Sequence, residues 1–284
     1  MSKNISVIYD DERYKYLVYE LSKLDYKVYV LNAPVLKTYA NIKLINNPEE
    51  MPANMQAIIL PVRGLESDYS AISKWNKKAC YFGKQFFTNL QKGSKIIGVV
   101  QKNKIEISDI ILLNNDDNFA LKNALLTAEG SLYALMQLSK KAVRDTNSYV
   151  LGYGKCGKAL ARLLKAVDIN TTVVARREVS RSEAWRDGFR GIGYSQFVQE
   201  IKKADSIFNT VPAYILCECV LRKMSQNTVI IDIASSPGGT DFEVAEQLGI
   251  KAVLKPGIPG KYSPSSAGEI MANCINKKLI EGGV

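Results

Sequence analysis

Gly152, Gly154 and Gly157 stand at Gly-x-Gly-x-x-Gly spacing in "VLGYGKCGKAL", directly after an apolar β-branched run and at the head of an amphipathic stretch. A strand that turns on glycines into a helix makes an anion site, because the first helical N–H groups lack partners and carry the positive end of the dipole. In this reading Gly152 makes the tight turn and Gly154 lets the backbone approach a pyrophosphate. Gly157 brings the helix close to the sheet, and Tyr153, Lys155 and Cys156 fill the loop between. Strand, turn, helix and second strand all follow in order, so dinucleotide binding is the expectation.

The second strand of this unit, "TTVVARR", ends in Arg176 and Arg177, with Ser180 and Arg181 close behind. An acidic residue there would bind a ribose 2′-hydroxyl, whereas cations suit a 2′-phosphate. NADP(H) is therefore expected ahead of NAD(H). Two further strands end in "FNTVP" (Asn209, Thr210, Val211, Pro212) and in "IDIASSPGGTDF", where Ala234 and Ser235 are small. Ligands of doubly wound sheets sit beyond the carboxyl ends of the strands, so both ends are expected to line the cofactor. Asn209 and Thr210 are expected to hydrogen-bond sugar or amide. Thr240 and Asp241 are expected to cap the next helix. A third Gly/Pro-rich loop, "KPGIPGKYSPSSAGE", brings Pro259 to the same edge.

These residues need a scaffold. Ile5–Asp11, Lys27–Asn32, Met55–Val62, Lys95–Val100 and Ile107–Asn114 read as strands, with a helix over Tyr14–Leu24. Alternation of apolar β-branched runs with helical patterns indicates parallel sheets covered on both faces. A second α/β series starts at Ser148. The expected architecture is two doubly wound α/β domains, at 1–126 and 146–265, joined by a helix over 127–145 that Thr127 would cap. The amphipathic stretch 266–284 is expected to pack back on the first domain. A length of 284 residues suffices for two cores.

Composition excludes several classes. There is no histidine, so a Ser-His-Asp or Cys-His hydrolase is ruled out, and protons must move through carboxylates, Lys, Tyr, Cys, cofactor or solvent. The five cysteines are scattered and odd in number, which is no disulfide framework. Cys217-Glu-Cys219 lacks the further ligands a zinc site needs, so no metal is expected. The charge of +10 is spread along the chain without basic–aromatic clusters. That favours anionic small molecules over nucleic acid. No apolar run reaches the ~18 to 20 residues of a membrane helix, so no membrane partner is expected. The start, "MSKNISVIYDD", turns acidic after one strand, unlike a secretory leader. A cytoplasmic location and a homo-oligomer are the expectations.

The set "GYGKCG", "ARR", "FNTVP", "IDIASSPGGTDFEVAEQLGIKA" and "PGIPGKYSPSSAGEI" resembles the family of dipicolinate synthase A subunits, over nearly the whole chain. The resemblance implies a flavodoxin-like N-terminal domain and a Rossmann domain arranged as in D-2-hydroxyacid dehydrogenases. It implies oxidation of dihydrodipicolinate to pyridine-2,6-dicarboxylate with NADP+, alongside a flavoprotein-like B subunit of dipicolinate synthase, in the mother cell of a sporulating bacterium. Where the family begins with Gly-Gly-Asp-x-Arg, this chain has Tyr9-Asp10-Asp11-Glu12-Arg13, which keeps Asp11 and Arg13 in the polar places. A planar dicarboxylate substrate calls for cations, and Arg13 and Arg63 are the candidate clamps. Glu129 in "TAEG" is the first candidate base, ahead of Asp232 and Asp241. Two alternatives stay open: a non-catalytic NADP(H)-binding subunit, and an oxidoreductase of another small carboxylate.

Overall fold

The computed structural model describes residues 3–34, 36, 39–90, 93–101, 103–107 and 110–281. Two compact units result, one from 1–122 with 259–284 and one from 123–258.

The first unit is a parallel sheet of β1 (Asn4–Ile8), β2 (Lys27–Leu31), β3 (Ile42–Ile45), β4 (Ala57–Ile59), β7 (Lys95–Gly98) and β8 (Ile110–Leu112), in the order β3-β2-β1-β4-β7-β8. A separate antiparallel hairpin, β5 (Ser70–Ile72) with β6 (Ala79–Tyr81), follows β4. Every residue of β1 is buried, the signature of a central parallel strand covered on both faces. The five strands β2-β1-β4-β7-β8 would by themselves keep the flavodoxin-like order, but β3, which the sequence pattern did not reveal, adds a sixth beside β2 and gives this sheet the same strand order as the sheet of the second unit. Of the expected strand Ile107–Asn114, Ser108 and Asp109 lie outside the described residues, as do 282–284 of the last helix. Helix α1 (Glu12–Lys23) starts where the Asp11 carboxylate accepts from the Arg13 backbone N–H. Short α2 (Lys84–Thr88) follows β6. One core joins Ile5, Val7, Leu17 and Leu21 to Met271, Ile275 and Leu279, and the other face buries Ile8, Leu31, Ile58 and Phe87.

Helix α3 runs Asp117–Leu138, ten residues earlier at its start than the expected 127–145. The cap is Asp116, whose carboxylate accepts from the backbone N–H groups of Asn118 (3.1 Å) and Phe119 (3.0 Å). Thr127 is consequently mid-helix and donates its hydroxyl back to the Asn123 carbonyl. Beyond its end, Ser139 closes a local turn with the Lys141 backbone.

The second unit places β9 (Asn147–Leu151), β10 (Asn170–Val174), β11 (Arg190–Ile192), β12 (Ser206–Asn209), β13 (Val229–Asp232) and β14 (Lys251–Leu254) in the order β11-β10-β9-β12-β13-β14, all parallel. That is the Rossmann order, with its reversal between β9 and β12. Between the strands run α4 (Lys155–Ala166), α5 (Glu178–Arg186), α6 (Tyr194–Glu200), α7 (Glu218–Leu221) and α8 (Phe242–Gln247). Val150, Leu160, Leu164 and Phe208 pack with Ala128 and Leu135 of α3 on one face, and Tyr149, Phe197, Ile207 and Leu221 on the other. After β14 come α9 (Ile258–Tyr262) and α10 (Pro264–Glu281). Helix α10 lies on α1 so closely that a Cβ on Gly268 would stand 2.5 Å from the Arg13 carbonyl oxygen.

Candidate functional site

The turn from β9 into α4 has the geometry its glycines call for. Gly152 has φ +95, a conformation that side chains disfavour. A Cβ on Gly157 would sit 2.2 Å from the Gly152 carbonyl oxygen, so that position is closed by backbone. At Gly154 the opposite holds, since a Cβ there would meet no atom within 4 Å. Gly154 is also the N-cap of α4, and no side chain caps this helix. Open space in front of uncapped N–H groups is what a phosphate needs. Burial pushes the Cys156 thiol up.

A cavity of about 550 Å³ opens from this turn, lined by Gly152, Tyr153, Gly154, Val174–Arg177, Ser180, Tyr194, Val211–Ala213 and Ile215. Seven residues expected at the cofactor meet here: Gly152, Tyr153, Gly154, Arg176, Arg177, Val211 and Pro212. Arg176 and Arg177 are exposed at the end of β10. Arg181 is not a third free cation, because its guanidinium donates to the carbonyls of Ala175 (3.1 Å) and Arg176 (2.7 Å) and clasps the turn that presents the other two. The Tyr153 hydroxyl donates to Asp187 at 2.6 Å. Asp187 also receives Arg162 at 2.9 Å, and its carboxyl is held below the ordinary range, first by the Tyr153 hydrogen bond. A larger hollow, about 940 Å³, lies at the amino ends of β12 to β14, around Asp205, Val229 and Lys251. Ligands of such sheets bind at the opposite edge, so the smaller cavity is the candidate.

Five residues expected at the cofactor, Asn209, Thr210, Ala234, Ser235 and Pro259, are not among the residues that line this cavity. Asn209 is fully buried; its amide donates to Asp232 Oδ2 (2.9 Å) and the Val211 carbonyl, and its oxygen accepts from the Val211 N–H. Thr210 donates to the Leu151 carbonyl at 2.8 Å. Both brace the strand ends instead of offering side-chain donors to a sugar. Ala234 is buried and Ser235 exposed at the end of β13, and neither lines the cavity. Gly239 is small for its own fold: a Cβ there would stand 2.3 Å from the Ala213 carbonyl oxygen. Asp232, also fully buried, accepts from the backbone N–H of Ala234 and Gly239 and from the Thr240 hydroxyl. With the Asn209 amide, that makes four donors from the surrounding strand ends and loop. Asp241 caps α8 by accepting from the Val244 N–H at 3.1 Å, as expected, and receives the Tyr214 hydroxyl at 2.5 Å. Pro259 is buried in α9. Glu129 is an exposed carboxylate on α3.

The first unit carries its own polar cluster, where β1 and β4 end beside the reversal of strand order. Asp10 is 1 % exposed. One carboxylate oxygen accepts from the Lys74 N–H (2.8 Å), the other from the Val62 N–H (3.0 Å). The Asp10 carbonyl accepts from the Trp75 N–H at 2.7 Å. A single buried side chain thus ties the β1 loop to the β4 loop that bears Arg63 and to the hairpin that bears Lys74. The Lys74 ammonium lies 3.4 Å from Asp10 and 3.7 Å from Asp11, and Arg13 Nε lies 2.8 Å from the other Asp11 oxygen. Arg13 is 4 % exposed, and its Nη2 has no hydrogen-bond partner among the described residues. The guanidinium abuts Gly260, where a Cβ would meet Nη2 at 2.4 Å. Arg63 is exposed beside this cluster.

Lys74, Asp10 and Tyr194 carry no signal in the sequence. Lys74 sits in "SKWNKK" with no motif around it, and Asp10 is one of two adjacent aspartates. Tyr194 follows Gly193 at the head of α6, and the fold brings it to the cavity wall, where its hydroxyl donates to the Ile215 carbonyl.

Residues 4–108 match the family described as the N-terminal domain of the dipicolinate synthase A subunit. Residues 123–238 match the NAD binding domain of the D-isomer specific 2-hydroxyacid dehydrogenases. The dipicolinate synthase A subunit of Bacillus subtilis (strain 168) is 36 % identical over 172 residues, a stretch that covers 61 % of this chain and 58 % of that relative. The crystal structure of the dipicolinate synthase A subunit from Bacillus halodurans superposes with a TM-score of 0.89 at 27 % identity, covering 98 % of each chain. A D-isomer specific 2-hydroxyacid dehydrogenase from Lactobacillus delbrueckii ssp. bulgaricus, in its NAD-complexed form, shares the fold, with a TM-score of 0.58 at 13 % identity over 99 % of this chain and 98 % of that one. The second unit is therefore a nicotinamide-dinucleotide-binding fold.

Proposed function

This chain is a relative of the dipicolinate synthase A subunit, and from that premise we propose that it is an NADP-dependent oxidoreductase that oxidises dihydrodipicolinate to dipicolinate. The observation that carries the proposal is the uncapped α4 N-terminus with open space at Gly154, on the same cavity as the exposed Arg176 and Arg177. The pyrophosphate would lie against the N–H groups of the α4 first turn, from Lys155 to Gly157. The ribose 2′-phosphate would lie against Arg176 and Arg177. Once bound, the nicotinamide supplies the hydride acceptor.

The chain's own contribution is position and charge. Arg13, Arg63 and Lys74 are the proposed contacts for the substrate carboxylates, and the unpartnered Arg13 Nη2 supports this assignment. Asp10 holds the backbone N–H of Lys74 itself and that of Val62, the residue before Arg63. Aromatisation of the ring drives the reaction, so orientation matters more than a strong base, in keeping with a chain that has no histidine. Glu129 is the proposed acceptor of the released proton.

A second reading, an NADP(H)-binding protein that serves a flavoprotein-like B subunit, is favoured by the commitment of Asp232 to four internal hydrogen bonds. Turnover of dihydrodipicolinate with NADP+, followed by NADPH absorbance, separates the two. Turnover by the purified chain alone supports the first reading. NADPH binding with turnover only after the flavoprotein is added supports the second.

A further inference from the structure

We propose that Cys217 and Cys219 form a reversible dithiol–disulfide site that controls the wall of the dinucleotide cavity. Their sulfurs are 2.6 Å apart, inside van der Waals contact, so a bond between them needs only a short local shift of side chain and backbone. Cys219 is exposed and Cys217 partly so. The hydrogen bond between the two sulfurs is the first cause that holds the Cys217 thiol below its ordinary value. The other three cysteines differ, since burial pushes the thiols of Cys80, Cys156 and Cys274 up. Reactivity follows the thiolate, so Cys217 is the nucleophile and Cys219 the resolving thiol.

The oxidant is a low-molecular-weight disulfide. The Cys217 thiolate attacks one sulfur of the oxidant, whose S–S bond breaks, and the first small thiolate leaves. Cys219 gives up its proton and attacks the Cys217 sulfur, expelling the second small thiolate. Two protein thiols are oxidised, and one small disulfide is reduced to two thiols.

The pair is coupled to the cavity through the two residues before it. Ile215 and Leu216 both donate their N–H groups to the Gly239 carbonyl, at 3.0 and 2.9 Å, and the Leu216 carbonyl accepts from the Asp241 N–H at 3.0 Å. The Ile215 carbonyl accepts from the Tyr194 hydroxyl, and Ile215 and Tyr194 both line the cavity. Closing a ring across three residues changes the backbone at Cys217. The pinned segment then passes that change to the Tyr194–Ile215 bond. The effect on NADPH rests on the dinucleotide reading above; the disulfide itself does not.

The test treats the reduced full-length protein, Cys219→Ser and Cys217→Ser with oxidised glutathione. Free thiols, the mass of the peptide that holds both cysteines, and the NADPH dissociation constant are measured. In the wild type, titratable thiols should fall by two and the peptide should lose two hydrogens. NADPH binding should weaken roughly three- to tenfold, the size of one lost hydrogen bond, and recover with dithiothreitol. Cys219→Ser should form only a mixed disulfide. Unchanged thiol counts, or a bond that involves Cys80, Cys156, Cys274 or a second chain, would overturn the site. An intact disulfide with unchanged NADPH affinity would overturn the control of the cavity. If the reduced protein fails to bind NADPH at all, the dinucleotide reading falls, and the thiol counts still decide the dithiol.

Discussion

Two cations next to each other, Arg176 and Arg177, set the choice between NADP and NAD in the proposed function. Both are exposed on the cavity, and Arg181 is spent on holding the turn beneath them. Arg176→Asp should lower the NADPH/NADH affinity ratio by at least about tenfold, the worth of one charge-assisted contact to phosphate; titration of both nucleotides by fluorescence reads it. An unchanged ratio would remove Arg176 from the 2′-phosphate site. Lys74 makes a parallel case in the first unit. It is 39 % exposed on the side chain and within reach of two aspartates. Lys74→Gln should weaken dipicolinate binding about tenfold in calorimetry while NADPH binding stays as it was. That split would place Lys74 at the dicarboxylate and not in the fold.

At the scale of elements, two buried or half-buried carboxylates hold loops to strands and helices. Asp232 gathers Asn209, Ala234, Gly239 and Thr240 beyond β13. Asp232→Ala strips the acceptor from several buried donors, so it should destabilise the protein by about 3 kcal/mol or more, read from urea midpoints. Asp116 caps α3 and pairs with Lys278 of α10 at 2.8 Å. The Lys278 hydrogen bond is the first cause that holds the Asp116 carboxyl down at about 2. A depressed carboxylate stabilises the fold above the unfolded pKa, and the contribution fades as pH falls from about 4 through 2. Asp116→Asn should therefore lose at most about 1 kcal/mol at neutral pH, because solvent screens the pair and Asn still caps, and show a shallower acid limb in stability against pH. An acid limb identical to the wild type would overturn that account.

Across the whole molecule, ligand linkage gives a test that needs no turnover. NADPH at about 100 times its dissociation constant should stabilise the folded state by about 2.7 kcal/mol, raising Tm by several degrees. No shift would count against the dinucleotide site in the second unit. Among the described residues no helix is long and apolar enough to cross a membrane. The two α/β series, the Gly152–Gly157 turn and the Asp241 cap were legible in the sequence because each rests on neighbours within a few residues: strand, turn and helix first turn. The start of α3 was misread, because Thr127 has the chemistry of a cap and Asp116 the position of one. Asn209, Thr210 and Asp232 were read as ligand contacts or bases from their place at strand ends. The bonds that hold them, Thr210 to Leu151 and Asn209 to Asp232, join strand ends far apart in the chain, which no local pattern records. Lys74 reaches Asp10 and Asp11 across more than sixty residues of chain. Local backbone chemistry thus determined the dinucleotide-binding scaffold by itself, whereas only tertiary packing decided which polar side chains were consumed in holding it and which were left with an unpaired donor, as at Arg13 Nη2.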